Sequence, residues 1–329
     1  MTTTGNSPFN YTNLGQSQLS SDIQALFRDQ FVPLLLTTFD EKRVLKGLVR
    51  NKTITKGKSA SFPLFGTVKA EYIGRGKEVQ GMGNFAKSEV TINIDPWLVS
   101  HQVLDQLEEK MSETQDRAII ADQMAMELAN TEDKQLLQVG VLAARSASLI
   151  TGENRGGSVI YAGSNVVTSA DVLAKAIYAG GVELDEKNIP EDNRTVYIRP
   201  LQYSLLCQYS TIIDRNTGAG SFPKGVTGKI DNMNVVKTTH LPKTNITAGE
   251  GTNPNNTYTG DFTNTAALVM HRDAIATVNF MGLITECTYQ PKSFDHLLTA
   301  RIAQGHGFLR PECAVEISKA AGASSGSGT

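Results

Sequence analysis

Cysteine is scarce and poorly placed to act jointly, since Cys207, Cys287 and Cys313 are far apart and odd in number. No CxxC spacing occurs, so neither a zinc knuckle nor a disulfide framework is indicated, and three buried thiols in a reduced compartment are expected. An excess of one charge is missing too. With 31 Lys and Arg against 33 Asp and Glu, the formal net charge is −2, too near zero for a broad basic face that grips phosphate backbones. There is no long hydrophobic run. The most apolar stretch, residues 31–39, is broken by Pro33 and is far shorter than the roughly 20 residues of a membrane span. The first twenty residues have neither a basic start nor an apolar centre, so no signal peptide is expected and the chain is expected to stay in a cytoplasm.

Catalytic signatures are also wanting. Gly57-Lys58-Ser59 has the end of a phosphate-binding loop, but the position that requires its first glycine holds Lys52. Ser221 and Lys224 have SxxK spacing, yet the companion SDN and KTG elements are absent and a turn is the better reading. The five histidines include no HExxH and no pair four residues apart. His306, between Gly305 and Gly307, is expected to be a structural histidine in a tight turn. No GxSxG elbow occurs, and the carboxylates are dispersed as on a solvated surface. No catalytic residue, cofactor site or metal site is therefore assigned.

What remains is an ordinary folding composition, 40% hydrophobic and 19% charged, with an unusual layout. Residues 1–19 are rich in Ser, Thr, Asn and Gly and would be disordered alone. Asp22 can cap a short helix with Ile23, Leu26, Phe27 and Phe31 on one face, and a second amphipathic piece follows over residues 34–48. Residues 49–95 read as a long hairpin. Val68, Ala70 and Tyr72 alternate with their neighbours, as do Val90, Ile92 and Ile94, around a glycine-rich tip at Gly74, Gly76, Gly81 and Gly83. Such a hairpin is marginal alone and needs its own chain or a neighbour to pack on it.

Ser112 with Gln115 forms a capping box that opens a proline-free run to about Ser148. Ala121, Ala125, Leu128, Glu132, Gln135 and Val139 recur at helical spacing along it. About 35 residues at 1.5 Å each make a rod of roughly 50 Å, some three times an average helix. A glycine-rich loop is expected over residues 152–163, then a helix from Ser169 or Asp171 to about Gly180, a strand over 193–199 and a helix over 201–213. Further strands are expected over 234–239, 266–270, 274–280, 284–289 and 314–317, with a helical or strand-like bridge over 295–303 and a flexible tail. The fold class is α+β: a hairpin, one very long helix and two mixed sheet regions.

Several of these residues are similar to a known family. The stretch GKSASFPLFG from Gly57 to Gly66, the block from Leu268 to Val278, and the run AQGHGFLRPE from Ala303 to Glu312 resemble major capsid proteins of short-tailed, podovirus-type bacteriophages. Arg199, Pro200 and Tyr203 resemble the family's strand-to-helix passage. The likeness runs in order over residues 22–317 and is loosest over 214–262, where the family's glycine before the strand at Val235 is missing.

The resemblance implies the Hong Kong 97 type of phage capsid fold. It divides the chain into an N-terminal arm (1–47), an extended loop (48–95), a peripheral domain with its spine helix (96–159), an axial domain (160–265), a return to the peripheral domain (266–317) and a tail (318–329). It implies assembly of copies as hexamers and pentamers of an icosahedral shell, with a scaffolding protein, a portal protein and packaged double-stranded DNA as partners, and no membrane. Phe62, Pro63, Tyr72, Arg75, Lys77, Arg117 and Arg310 are the expected assembly contacts. Some phages with this fold join lysine to asparagine between subunits, and Lys69, Lys77 and Lys87 stand in the loop, but no crosslink is expected. The rival readings are a cellular nanocompartment shell of the same fold and an α+β enzyme with an unrecognised site.

Overall fold

A computed structural model describes residues 38, 43–45, 47–66, 68, 70–78, 86–105, 107, 116–150, 156–208, 229–249 and 258–320. The expected arm helices, the Ser112–Gln115 capping box, Gly81, Gly83, Ser221, Lys224 and the tail lie largely or wholly outside them. The chain divides into two compact units: a smaller one of residues 1–42, 99–129 and 283–301, and a larger one of residues 43–98, 130–282 and 302–329.

The strands run β1 (Arg50–Thr53), β2 (Ser59–Phe65), β3 (Lys87–Asn93), β4 (Leu98–Asp105), β5 (Ser158–Tyr161), β6 (Arg194–Ile198), β7 (Lys229–Ile230), β8 (Met233–Lys237), β9 (Asn245–Ile246), β10 (Gly260–Asp261), β11 (Thr265–His271), β12 (Ile275–Gln290), β13 (Asp295–Phe308) and β14 (Ala314–Ser318). The helices are α1 (Asp116–Arg145), α2 (Ala170–Glu186) and α3 (Pro200–Gln208). Proline opens α3 at the first helical position, where its missing N–H costs nothing.

In the larger unit, six strands order as β5-β14-β11-β6-β8-β7. β6, β11 and β14 are buried throughout, which is why their sequences are largely apolar or small instead of alternating. Leu173 and Ile177 of α2 share one core with Val196 of β6, Leu268 of β11 and Val315 of β14. The second half of α1 adds Leu136, Leu137, Val139 and Val141 to it. Gly140, the single glycine of α1, explains how closely that helix approaches: a Cβ there would sit 2.8 Å from a Leu268 methyl and 3.2 Å from one of Ile275. β1 pairs in parallel with the base of β12, Arg50 opposite Ala276. In the smaller unit, β4 flanks β13 on the outside of the β12–β13 hairpin.

The long helix agrees with the sequence pattern. Ala121, Ala125, Leu128, Glu132, Gln135 and Val139 are all buried, and 30 residues make a rod of about 45 Å. It ends at Arg145, before Ser148, where Ser146 and Ala147 turn to meet the glycines at 156 and 157.

Other expectations need correction. The glycine-rich segment 152–163 contains a strand, β5, because Val159 and Ile160 find an open edge beside β14. The helix begun at Ser169 continues past the glycine pair at 180–181 to Glu186, since Ile177, Gly181 and Leu184 keep its buried spacing. The two strands expected at 274–280 and 284–289 are one strand of 16 residues. Of the two forms expected for residues 295–303, helical or strand-like, the strand is the one found, and it runs on to Phe308. Val68 and residues 70–74 carry no regular strand despite their alternation, since none of the described residues pairs with them as a strand. His306 is not in a turn but inside β13.

Candidate assembly interface

The extended hairpin consists of β2 and β3, paired antiparallel from Ser59 opposite Asn93 to Phe65 opposite Lys87. Its faces differ sharply. Ala60, Phe62 and Leu64 with Ile92 turn inward and form a small core with Ala276, Val278 and Leu309. The opposite face carries Ser59, Pro63, Phe65, Glu89 and Thr91, largely in solvent. Proline is tolerated at position 63 because β2 is an outer strand.

From the last residue pair of the hairpin onward, several apolar side chains stand in solvent among charged ones. Phe65 is 51% exposed, Val68 78%, Ile73 39%, and Tyr72 fully exposed. Arg75 and Gly76 make a turn closed by the Lys77 N–H donating to the Gly74 carbonyl at 3.2 Å, and Gly76 has φ +79, a left-handed value that glycine adopts freely.

The root of this hairpin is held firmly. The Ile94 N–H donates to the Lys58 carbonyl and the Asp95 N–H to the Gln304 carbonyl, both at 2.9 Å. Tyr258 donates its hydroxyl proton to the Asp95 carboxylate at 2.5 Å and accepts the His306 N–H at 2.9 Å. The His306 Nδ1 lies 3.1 Å from the Thr277 hydroxyl. Burial pushes the Asp95 carboxyl up from its ordinary value, against the lowering effect of Tyr258, and drives the His306 imidazole down to about 3. His306 is therefore neutral at any physiological pH and acts as a structural hydrogen-bonding group. Beside this root a groove of about 340 Å³ is lined by Gly57, Lys58, Ile94, Pro96, Phe280 and the half-exposed Trp97.

Two further polar anchors secure the chain around α1. Asp133 accepts the backbone N–H groups of Val44 at 2.7 Å and Leu45 at 3.2 Å, while Arg43 pairs with Glu132, which ties residues 43–45 to α1. At the end of α1, Arg145 makes two bonds to Glu316, at 2.6 and 2.7 Å, and also donates to the Asp261 carbonyl and Thr265 hydroxyl. Glu316 is wholly buried, and its hydrogen bonds to Arg145 lead the effects that hold the guanidinium above its ordinary value.

The expected contact residues fall in different settings. Pro63, Tyr72, Arg75 and Lys77 are exposed along the hairpin. Phe62 is 8% exposed and faces its own chain's core, with the Lys52 ammonium 4.8 Å from its ring centroid. Arg117 lies in the first turn of α1. Arg310 is partly exposed and lies 3.3 Å from Glu312. Sequence pattern alone does not single out Phe65, Val68 and Ile73 as exposed, nor the Asp95–Tyr258–His306 contact or the Arg145–Glu316 pair. The one signal present was the GHG run itself, since two glycines around one histidine also suit a strand in close contact with another backbone.

Among the described residues, no cluster of three or more His, Cys, Asp or Glu could hold a metal ion, and no helix is long and apolar enough to cross a membrane. Cys207 and Cys313 are buried, and Cys287 is half-buried.

A two-faced hairpin, a very long helix and two mixed sheets are the elements of a shell-forming phage capsid subunit with the Hong Kong 97 type of fold, and the comparisons with known proteins agree. The capsid structure of cyanophage P-SCSP1u matches with a TM-score of 0.75 and 31% identity, over 84% of this chain and 88% of that one. Residues 61–318 match the Gp10A-like major capsid protein family, and the chain belongs to it. It is 27% identical to the major capsid protein of Escherichia phage T7 and 26% identical to that of Enterobacteria phage T3, in each case over 92% of this chain and 94% of the relative. The protein is thus the major capsid protein of a podovirus-type tailed phage, a structural component of the virion shell. This membership favours the phage capsid over both the nanocompartment shell and the enzyme.

Proposed function

We propose that copies of this chain join as hexamers and pentamers of an icosahedral shell enclosing double-stranded DNA, with the tip of the β2–β3 hairpin reaching a neighbouring subunit. The observation that carries this is the two-sidedness of the hairpin. Phe62 and Leu64 are buried within the chain, whereas Phe65, Val68 and Tyr72 stand largely in water. A surface of this kind is stabilised when a partner covers it. Pro63, Tyr72, Arg75, Lys77, Arg117 and Arg310 are the contact residues, and Phe62 supports the hairpin from inside.

The division into arm, extended loop, peripheral domain and axial domain belongs to this reading. Several moderate contacts per subunit hold a shell more firmly than any one of them would, because each new contact forms at high effective concentration. The subunit has no catalytic role in this scheme. Assembly takes place in the host cytoplasm with a scaffolding protein and a portal protein, and the near-neutral chain leaves packaged DNA loosely held on the inner surface. Expression with and without the scaffolding protein encoded nearby tests the partner assignment. Uniform shells with it and irregular aggregates without it are expected; identical products in both cases would remove the scaffold from the assembly scheme.

A further inference from the structure

The outer strands of the two large sheets are protected in different ways, with one exception. β1 carries Arg50 and Lys52, charges that oppose pairing with another chain. β5 has four residues and β7 only two, too short to template much. β4 has eight, Leu98–Asp105, with no lysine, arginine or proline and one acidic residue at its end. Among the described residues nothing pairs with its outer side. Val99 and Val103 point into solvent, 45% and 47% exposed.

The sequence of β4 reads nearly the same in both directions: Leu98, Val99, Ser100, His101, Gln102, Val103, Leu104. Laid antiparallel on a second copy about a two-fold axis through His101, Leu98 meets Leu104, Val99 meets Val103, and Ser100 meets Gln102. Every apolar side chain within β4 finds an apolar partner. A shift of one residue would destroy the match, because it exchanges the faces of the strand. No Lys, Arg, Asp or Glu opposes a like charge, Asp105 falls opposite Trp97, and the two His101 rings face each other at the axis. A two-fold contact between identical strands is self-complementary and closes on itself, the same patch of each copy meeting the other.

We propose that β4 pairs with β4 of a second copy, centred on His101, and links adjacent rings of subunits in the shell. The inference rests on the shell reading given above.

The test uses assembled particles of the full chain carrying His101→Cys, oxidised and run on a non-reducing denaturing gel. Residues facing each other across such a pair have Cα atoms about 4.5–5.5 Å apart, within disulfide range, whereas residue 100 would lie diagonal to its own copy at about 7–8 Å. The prediction is that most His101→Cys chains run as dimers, while Ser100→Cys and the parent chain, the control for Cys287, stay monomeric. Closed shells whose His101→Cys chains remain monomeric would overturn the pairing and leave the shell reading intact. Failure of the parent chain to form shells would contradict the shell reading itself. If the cysteine variants do not assemble, Val103→Lys decides: subunits that fold normally but give at least tenfold fewer closed shells support the pairing, and an unchanged yield refutes it.

Discussion

Gly305 of β13 and Asn93 at the end of β3 approach so closely that a Cβ on residue 305 would overlap the Asn93 carbonyl. The obstacle is backbone, so no side-chain rotation relieves it. Gly305→Ala is therefore expected to separate the hairpin root from β13 and cost at least the roughly 1–3 kcal/mol typical of overpacking. Gly307→Ala meets only the flexible side chain of Ile92, 2.8 Å away, and should cost less. Urea denaturation of the two variants checks the order.

The Arg145–Glu316 contact joins the end of α1 to β14 through a wholly buried carboxylate. Arg145→Met leaves that charge without its main partner, and a loss of about 3–5 kcal/mol follows. Glu316→Gln, which still accepts a bond from Arg145, should lose less. Thermal unfolding of the variants measures both.

His306 makes a contribution that depends on pH. Its folded value of about 3 lies below the ordinary 6.5, so between these values the unfolded chain binds more protons than the folded one. Stability contributed by the neutral ring is complete above about pH 6.5 and is lost as pH falls towards 3, on the order of 5 kcal/mol at its full extent. Asp95 and Asp133, raised by burial, act in the opposite sense: acid relieves the cost of their buried charge. The comparison of His306→Gln with the parent isolates the histidine. The variant should lose less stability between pH 6.5 and 4, and equal losses would contradict this assignment.

Two aromatic residues of the hairpin separate folding from assembly. Phe62→Ala removes a ring from the hairpin core and should cost the subunit about 3–5 kcal/mol. Tyr72→Ala removes a fully exposed side chain, and should leave subunit unfolding within about 0.5 kcal/mol while lowering the heat stability of assembled shells. Calorimetry of subunits and of particles distinguishes the two effects.

How much of the fold is legible in the sequence depends on whether a signal is local. The long helix is, because Ala121, Leu128, Gln135 and Val139 repeat at helical spacing. The outward and inward faces of β3 are, because Val90 and Ile92 alternate with polar residues. The strand at Val159 and Ile160 is not, since glycines flank it and its reason to exist is the edge of β14, far away in the chain. The glycines around His306 suggest a turn, yet they answer to Ile92 and Asn93, some two hundred positions earlier. Phe62 and Tyr72 look equivalent as contact residues in the sequence; only the fold shows that one packs with Val278 and the other faces solvent.

The central claim is that this chain builds a closed shell from copies of itself, with the hairpin tip covered by a neighbour. Electron cryo-microscopy of particles formed on expression of the full chain, with the proposed scaffolding partner supplied, measures it most directly. Closed shells of uniform diameter, with density from an adjacent subunit over Val68 and Tyr72, are the predicted result. A soluble, monodisperse monomer or dimer under the same conditions, or shells in which that tip stands free, would contradict it.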